Sequence, residues 1–220
     1  MKKVLILDGS MRKQGNTSSL VENFLNGAKL HTHQVDHVMA KDLNLEYCNG
    51  CLRCNLIKRC SISGDDWSEL SKKILEADVL VFASPIYFHY LTAPLKKIID
   101  RFRSLVHVQI TEAGVKHTPW IKWEKDFVLL LSMGSSDAVD AQPAIDLFEY
   151  MKEVMGKNNN LHVIKATRLA VIKQITKNEE DLMELYPKLK IPINLAAKDS
   201  IRNKDLLNDC FVLGRELTES

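Results

Sequence analysis

The sequence predicts a doubly wound α/β fold: a five-stranded parallel sheet with helices on both faces. Three observations carry this expectation. Strand-like and helix-like segments alternate along most of the chain, the pattern of successive βαβ units. Three strand segments, Val4–Leu7, Val79–Ala83 and Phe127–Leu131, are almost continuously apolar, as strands covered on both faces of a parallel sheet must be. The chain has 220 residues, 45% hydrophobic and 26% charged, enough for one large domain that folds without covalent staples.

In order, "KVLILDGS" is the first strand and ends at Gly9. A helix is expected from Thr17 to Lys29, and "HQVDHVMA" alternates weakly as a second strand. "DDWSELSKKILEA" opens with acidic capping candidates and carries apolar residues at helical spacing. "DVLVFASP" is the third strand and Pro94–Ser104 the helix after it. "DFVLLLSMG" is the fourth strand, followed by a long helix over Ala138–Met155 that Gly156 closes. "LHVIKATRLA" is the fifth strand. The expected organisation is a cofactor-binding domain over 1–176, with an irregular cysteine loop at 44–64, and a helical C-terminal extension over 177–220. Segment 105–125, with Trp120 and Trp123, reads as a long connection. Two roles suit it: a lid or interface piece, or a surface excursion whose aromatics pack back on the body.

Lys and Arg number 30 against 28 Asp and Glu, a net charge of +2 with no block of one sign. That balance argues against a nucleic-acid partner. Lys2 and Lys3 precede only Val4–Leu7 before Asp8 interrupts, too short for the ~7–15 apolar residues of an export signal. No run approaches the ~18 apolar residues of a membrane span. A cytoplasmic protein with no membrane contact is expected, and disulfides are rare in that compartment.

"LDGSMRKQGNTSSL" joins the first strand to the first helix, where an open α/β sheet binds anions at a helix N-terminus. Ser10, Asn16, Thr17 and Ser18 are neutral donors there and Arg12 a charged one. The loop has the spacing of neither a Walker A loop nor G-x-G-x-x-G. Mostly neutral donors suit a terminal monophosphate; an ordinary helix start capped by Asn16 or Thr17 is the alternative. After the third strand come Ser84, Pro85, Ile86, Tyr87 and Phe88, and after the fourth Met133 and Gly134. Ligands of such sheets sit outside the carboxyl ends of the strands. All three loops therefore border one crevice, with Tyr87 and Phe88 suited to flank a planar ring and Gly134 to offer backbone to its polar edge. His89 lies beside this loop and reads as a packing or hydrogen-bonding residue; no catalytic acid or base is assigned.

Four of the 5 cysteines, Cys48, Cys51, Cys54 and Cys60, form C-x2-C-x2-C-x5-C. Two-residue gaps let a tight loop aim three thiolates inward, as around a cubane [4Fe-4S] cluster, and Gly50 permits the sharp turn. Zinc, empty thiols and a disulfide are the alternatives; zinc usually takes two separated pairs or a Cys/His mixture. Arg53, Lys58 and Arg59 either offset cluster charge in part or are solvated surface charges. Cys210 stands alone in a helical stretch and reads as a buried apolar residue.

Gly9-Ser10-x-Arg12 with Gly15-Asn16-Thr17, then Ser84-Pro85-x-Tyr87, then Met133-Gly134, resembles the NADPH-dependent FMN reductase-like branch of the flavodoxin fold. With the four cysteines it resembles the iron–sulfur flavoprotein family, over roughly residues 1–170. Two positions depart from that family: Met11, where proline is common, and Arg59, where glycine often precedes the fourth cysteine. The resemblance implies a flavodoxin-like sheet, FMN in the three-loop crevice and a [4Fe-4S] cluster on the cysteines. It also implies a homodimer or homotetramer in which flavin and cluster approach across subunits. The expected function is electron transfer between a one-electron carrier, such as ferredoxin, or a reduced nicotinamide, and a small-molecule acceptor. An NAD(P)H-dependent FMN, quinone or azo reductase without a cluster is the alternative, and a redox-sensing flavin protein a third reading.

Overall fold

The computed structural model describes residues 1–219. Its main sheet is built from β1 (Val4–Asp8), β2 (Val35–Met39), β3 (Val79–Pro85), β6 (Asp126–Ser132) and β7 (Asn160–Ala166), in the order β2-β1-β3-β6-β7, with every pair parallel. The helices are α1 (Asn16–Ala28), α2 (Cys54–Ile57), α3 (Trp67–Glu76), α4 (Ala93–Arg101), α5 (Gln142–Met155), α6 (Glu179–Leu185) and α7 (Ala196–Thr218). This is the predicted doubly wound, flavodoxin-like architecture.

The three apolar strands lie at the centre of the sheet, and their alternate side chains enter different cores. Leu5, Leu7, Leu80, Phe82, Phe127 and Leu129 meet α3, α4 and α5 on one face. Val4, Ile6, Val79, Val81, Val128 and Leu130 meet α1 and α7 on the other. Both faces are dry, so the central strands show no polar alternation. The edge strands β2 and β7 keep partly exposed positions, which explains their weaker pattern. Aromatic rings organise the first core: Phe82 contacts Phe148 at a centroid distance of 4.6 Å, and Phe127 at 6.0 Å. Truncating a ring buried this way costs about 3–5 kcal/mol.

On the second face α1 and α7 cross at backbone contact. A Cβ on Gly27 would stand 1.9 Å from the Phe211 carbonyl oxygen, and one on Gly214 would stand 2.1 Å from that of Phe24. Glycine is required at both positions for the helices to approach. Cys210 is fully buried in this core, where burial pushes its thiol up to about 12.

Four expected elements differ. The helix placed over Pro94–Ser104 ends at Arg101 and tightens into a 3₁₀ turn over Phe102–Leu105. Segment 105–125 is no structureless connection: β4 (Val106–Thr111) and β5 (Gly114–Pro119) form an antiparallel hairpin, while Trp123 packs into the core. The helix expected from Ala138 begins with a 3₁₀ turn, and α5 proper starts at Gln142 with Pro143 in its first turn, where the missing N–H costs nothing. The fifth strand stops at Ala166 rather than Ala170. The backbone then turns at Arg168, whose φ of 55° no strand can hold.

Candidate functional site

The strand ends on one edge of the sheet surround a cleft of about 230 Å³. Its first wall is the β1–α1 loop. Gly9 opens it, because a Cβ there would stand 2.6 Å from the Thr92 hydroxyl and 2.9 Å from Leu95 Cβ. Helix α1 starts after Gly15 with no side-chain cap, so neither Asn16 nor Thr17 caps it. The first N–H to join the helical ladder is that of Ser19, bonded to the Gly15 carbonyl at 3.2 Å. Uncapped N–H groups and a positive dipole end therefore face the cleft, an arrangement that binds anions.

The side chains expected as neutral donors have other work. Asn16 donates to the Val171 carbonyl at 2.8 Å and accepts from the Ile175 N–H at 3.1 Å. Thr17 and Ser132 pair through their hydroxyls at 2.7 Å. The Ser10 N–H donates to Asp8 at 2.8 Å, and its hydroxyl to the same carboxylate oxygen. Asp8 is buried, with His37 Nε2 3.1 Å from its other oxygen. Arg12 lines the cleft and, among the described residues, has no carboxylate partner within salt-bridge reach.

The second wall is the end of β3. The Ile86 N–H donates to the Ser132 carbonyl at 2.8 Å, which sets Pro85, Ile86 and Tyr87 against the cleft. Tyr87 and Tyr90 then exchange backbone hydrogen bonds at 2.9 and 3.0 Å. Phe88 and His89 between them have φ of 49° and 63°, the geometry of a primed turn. Phe88 is carried to the tip, 101% exposed.

Met133 and Gly134 form the third wall, and Leu169 and Ala170, after β7, a fourth. The two are joined: the Leu169 N–H donates to the Met133 carbonyl at 2.9 Å and the Arg168 N–H to that of Ser135 at 2.8 Å. Behind the fourth wall Asp199, at 0% exposure, accepts from Arg168 Nε at 2.8 Å and from the Tyr186 hydroxyl at 2.6 Å, with Arg202 Nη1 at 2.9 Å. Burial alone would raise the Asp199 carboxyl, but the bonds from Arg168 and Tyr186 and the Arg202 charge outweigh it and hold it below the usual range. Burial and the Asp199 bond push Tyr186 up to about 12.

The cysteine run forms a separate feature. Cys48, Cys51, Cys54 and Cys60 all border one small depression, which Arg101 and Arg103 also line. Gly50 and Leu52 turn with φ of 68° and 56°. All the thiols are free; Cys48 and Cys51 are exposed and Cys54 is buried. The Ser61 hydroxyl and the Arg53 backbone hold Cys51 below its ordinary pKa. Burial holds Cys54 above its own, against the Arg103 charge. Among the described residues, no three His, Cys, Asp or Glu side chains converge as tightly as a single metal ion requires. A cubane spreads its irons over four corners, so its thiolates stand wider apart than the ligands of one ion. The four thiols that border the depression are the donor type such a cluster takes.

Residues 2–165 match the NADPH-dependent FMN reductase family. The chain belongs to that family. It is similar to an iron–sulfur flavoprotein of Methanocaldococcus jannaschii, 38% identical over 103 residues that span 47% of this chain and 53% of the relative. An iron–sulfur flavoprotein of Archaeoglobus fulgidus is 36% identical over 107 residues, 49% of this chain and 48% of the relative. The chain thus aligns with about half the length of these relatives. The fold is also that of an FMN-dependent NADH-azoreductase from Bacillus anthracis solved with FMN, at a TM-score of 0.58 and 12% identity over 97% of this chain and 100% of that one.

This cleft suits FMN, the flavin for which the family is named: uncapped N–H groups and Arg12 for a phosphate, apolar and backbone walls for a ring. Ser10, Arg12, Asn16, Thr17, Pro85, Ile86, Tyr87, Met133 and Gly134 line it as expected. Three expected residues do not. The Ser18 hydroxyl donates to the Arg12 carbonyl, that of Ser84 donates to the Pro85 carbonyl while accepting from the Thr92 N–H, and Phe88 rides on the turn tip. Met11, Gly15 and Ser132, on the same expected loops, also line it, and Leu169 and Ala170 line it without having been expected. The last two were hidden by reading the fifth strand through Ala170. Among the described residues, no helix is long and apolar enough to cross a membrane.

Proposed function

We propose that the protein is an electron-transfer flavoprotein that holds FMN in the cleft and a [4Fe-4S] cluster on Cys48, Cys51, Cys54 and Cys60. One observation carries this reading: a single cysteine run surrounds one depression on a chain that already bears a flavin cleft. Such a cluster passes single electrons while flavin accepts them singly or in pairs, so the two together join one-electron carriers to two-electron reduction. The chain's own residues bind and orient. The α1 N–H groups and Arg12 take the phosphate, Pro85–Tyr87 and Met133–Gly134 hold the ring, and the thiolates hold the cluster. The donor is a ferredoxin-like carrier or a reduced nicotinamide, the acceptor a small molecule, and the assembly a homodimer or homotetramer.

The test is iron and acid-labile sulfide analysis of protein purified without oxygen. About four of each per chain is expected, with a broad absorption shoulder beside the flavin bands that air abolishes. Iron-free protein with FMN bound and its thiols intact would sink this reading. It would leave an NAD(P)H-dependent FMN, quinone or azo reductase, whose steady turnover with NADPH would then be the assay.

A further inference from the structure

We infer that Arg103 is the residue that orients Cys54 and raises the reduction potential of the group its thiolate holds; this rests on the cluster reading above. Two guanidinium groups border the thiol depression, and their surroundings differ. Arg101 is neutralised. Its Nη1 lies 2.6 Å from Asp65, both side chains are buried at 0% and 2% exposure, and it also donates to the Glu46 carbonyl. Arg103 has no carboxylate partner within salt-bridge reach among the described residues. Its Nη1 donates to Cys54 Sγ at 3.5 Å and to the Val106 carbonyl at 3.1 Å, and its Nη2 donates to Asn55 Oδ1 at 3.1 Å. Cys54 Sγ in turn faces the Arg103 carbonyl at 3.8 Å.

Asn55 completes the clasp. Its amide donates to the Val108 carbonyl at 2.8 Å and accepts from the Val108 N–H at 3.0 Å. The four-residue helix α2 is thereby fixed to the base of the β4–β5 hairpin through one planar fork. A fork of this kind cannot be copied by a lysine, whose donors are not coplanar. The consequence is electrostatic as well as geometric. One-electron reduction adds one negative charge, and a fixed cation donating to a ligand sulfur stabilises the reduced state more than the oxidised one. Hydrogen bonds to the sulfurs are among the levers that set cluster potentials. Arg53 and Arg59 on the same loop are exposed to solvent, where water screens them.

The experiment is a redox titration of the anaerobically purified holoprotein, followed by the electron paramagnetic resonance of the reduced cluster, with bound FMN as the folding control. Arg103→Gln is expected to shift the oxidised-to-reduced ratio at a fixed potential about tenfold toward oxidised. For a one-electron couple that is a fall of about 59 mV. Arg103→Lys keeps the charge and loses the fork, so an intermediate fall is expected. Arg59→Gln is expected to change the ratio less than about twofold. Wild-type potential in an iron-replete Arg103→Gln protein would overturn the inference and leave the cluster reading standing. So would an equal fall in Arg59→Gln. If Arg103→Gln retains FMN but holds no iron, its role in orienting Cys54 is supported and Arg103→Lys decides the potential: a value equal to wild type would overturn it. Wild-type protein without iron removes the cluster reading and this inference together.

Discussion

The flavin cleft and the cysteine loop are built by opposite means. Every wall of the cleft is tied to another by groups distant in sequence: Thr17 to Ser132 over 115 residues, Asn16 to Ile175 over 159. Its shape is a property of the whole sheet. The cysteine loop has local turns, a four-residue helix, the clasp through Asn55 and Arg103, and the bond from Arg101 to the Glu46 carbonyl. Two of its thiols stand in solvent. A cleft tied from so many distant points has a shape that belongs to the whole sheet, whereas the geometry of the loop rests on a few contacts of its own. Damage to the fold should therefore reach the flavin, and damage to the cysteines should stop at the loop.

The largest expected effect is at Asp199. Asp199→Ala leaves Arg168 and Arg202 without their buried carboxylate, a change of about 3 kcal/mol in folding stability, measurable by urea unfolding. The fourth wall loosens with it, so FMN affinity should fall although Asp199 lies outside the cleft. The pH profile sharpens this. Because the Asp199 pKa is lowered on folding, its contribution is present above the unfolded carboxyl value near ~3.9 and is lost as pH falls below it. Because Tyr186 is raised to about 12, its contribution is present below an unfolded value near ~10 and is lost as pH rises toward 12. The alkaline limb of the unfolding curve should flatten in the variant. An unchanged limb would detach Tyr186 from this network.

Asn16→Ala comes next. It orphans the Ile175 N–H and the Val171 carbonyl, at about 1–3 kcal/mol for a buried group, and both stability and FMN affinity should drop. Arg12→Ala touches the ligand alone. Loss of one charge-assisted bond of about 1.5–3 kcal/mol should weaken FMN binding roughly ten- to a hundredfold in a fluorescence titration, with the unfolding midpoint of flavin-free protein unmoved. Unchanged affinity would remove Arg12 from the phosphate site. The smallest effect on the fold belongs to Cys48→Ser. An exposed side chain contributes within about 0.5 kcal/mol, so stability and FMN content should match wild type while iron content collapses. A parallel loss of FMN would mean that loop and cleft are one structural unit.

The same contrast decides what could be read from the chain. The cysteine run is local, so the spacing alone brought together the four residues that border one depression. The sheet was legible because Val4–Leu7, Val79–Ala83 and Phe127–Leu131 are dry on both faces. The β4–β5 hairpin was missed, since its exposed strands carry little apolar signal in "VHVQIT" and "GVKHTP". In the cleft the three expected loops do meet, but the internal bonds of several of their side chains were not legible. Asn16 and Thr17 look like free donors until the partners that occupy them arrive from far along the chain, and Ser10 until the Asp8 carboxylate two residues before it takes up both its N–H and its hydroxyl. Phe88 looked like a ring neighbour because nothing in "YFHY" announces two consecutive residues at positive φ. Leu169 and Ala170 stayed hidden because the turn at Arg168 is held by partners distant in sequence, among them Ser135 and, through its side chain, Asp199 thirty-one residues later.

The crossing of α1 and α7 at Gly27 and Gly214 sets an order of events during synthesis. Thr218 reaches back to the Ala28 carbonyl across 190 residues, so α1 leaves the ribosome long before the helix that covers it has been made. Contacts this distant form late, because closing so large a loop must precede any gain from it. The outer side of the helix whose uncapped start faces the cleft is bare until then. Tight flavin binding is therefore expected only once α7 has packed, and a nascent chain stalled ahead of residue 196 would display the β1–α1 loop without that support.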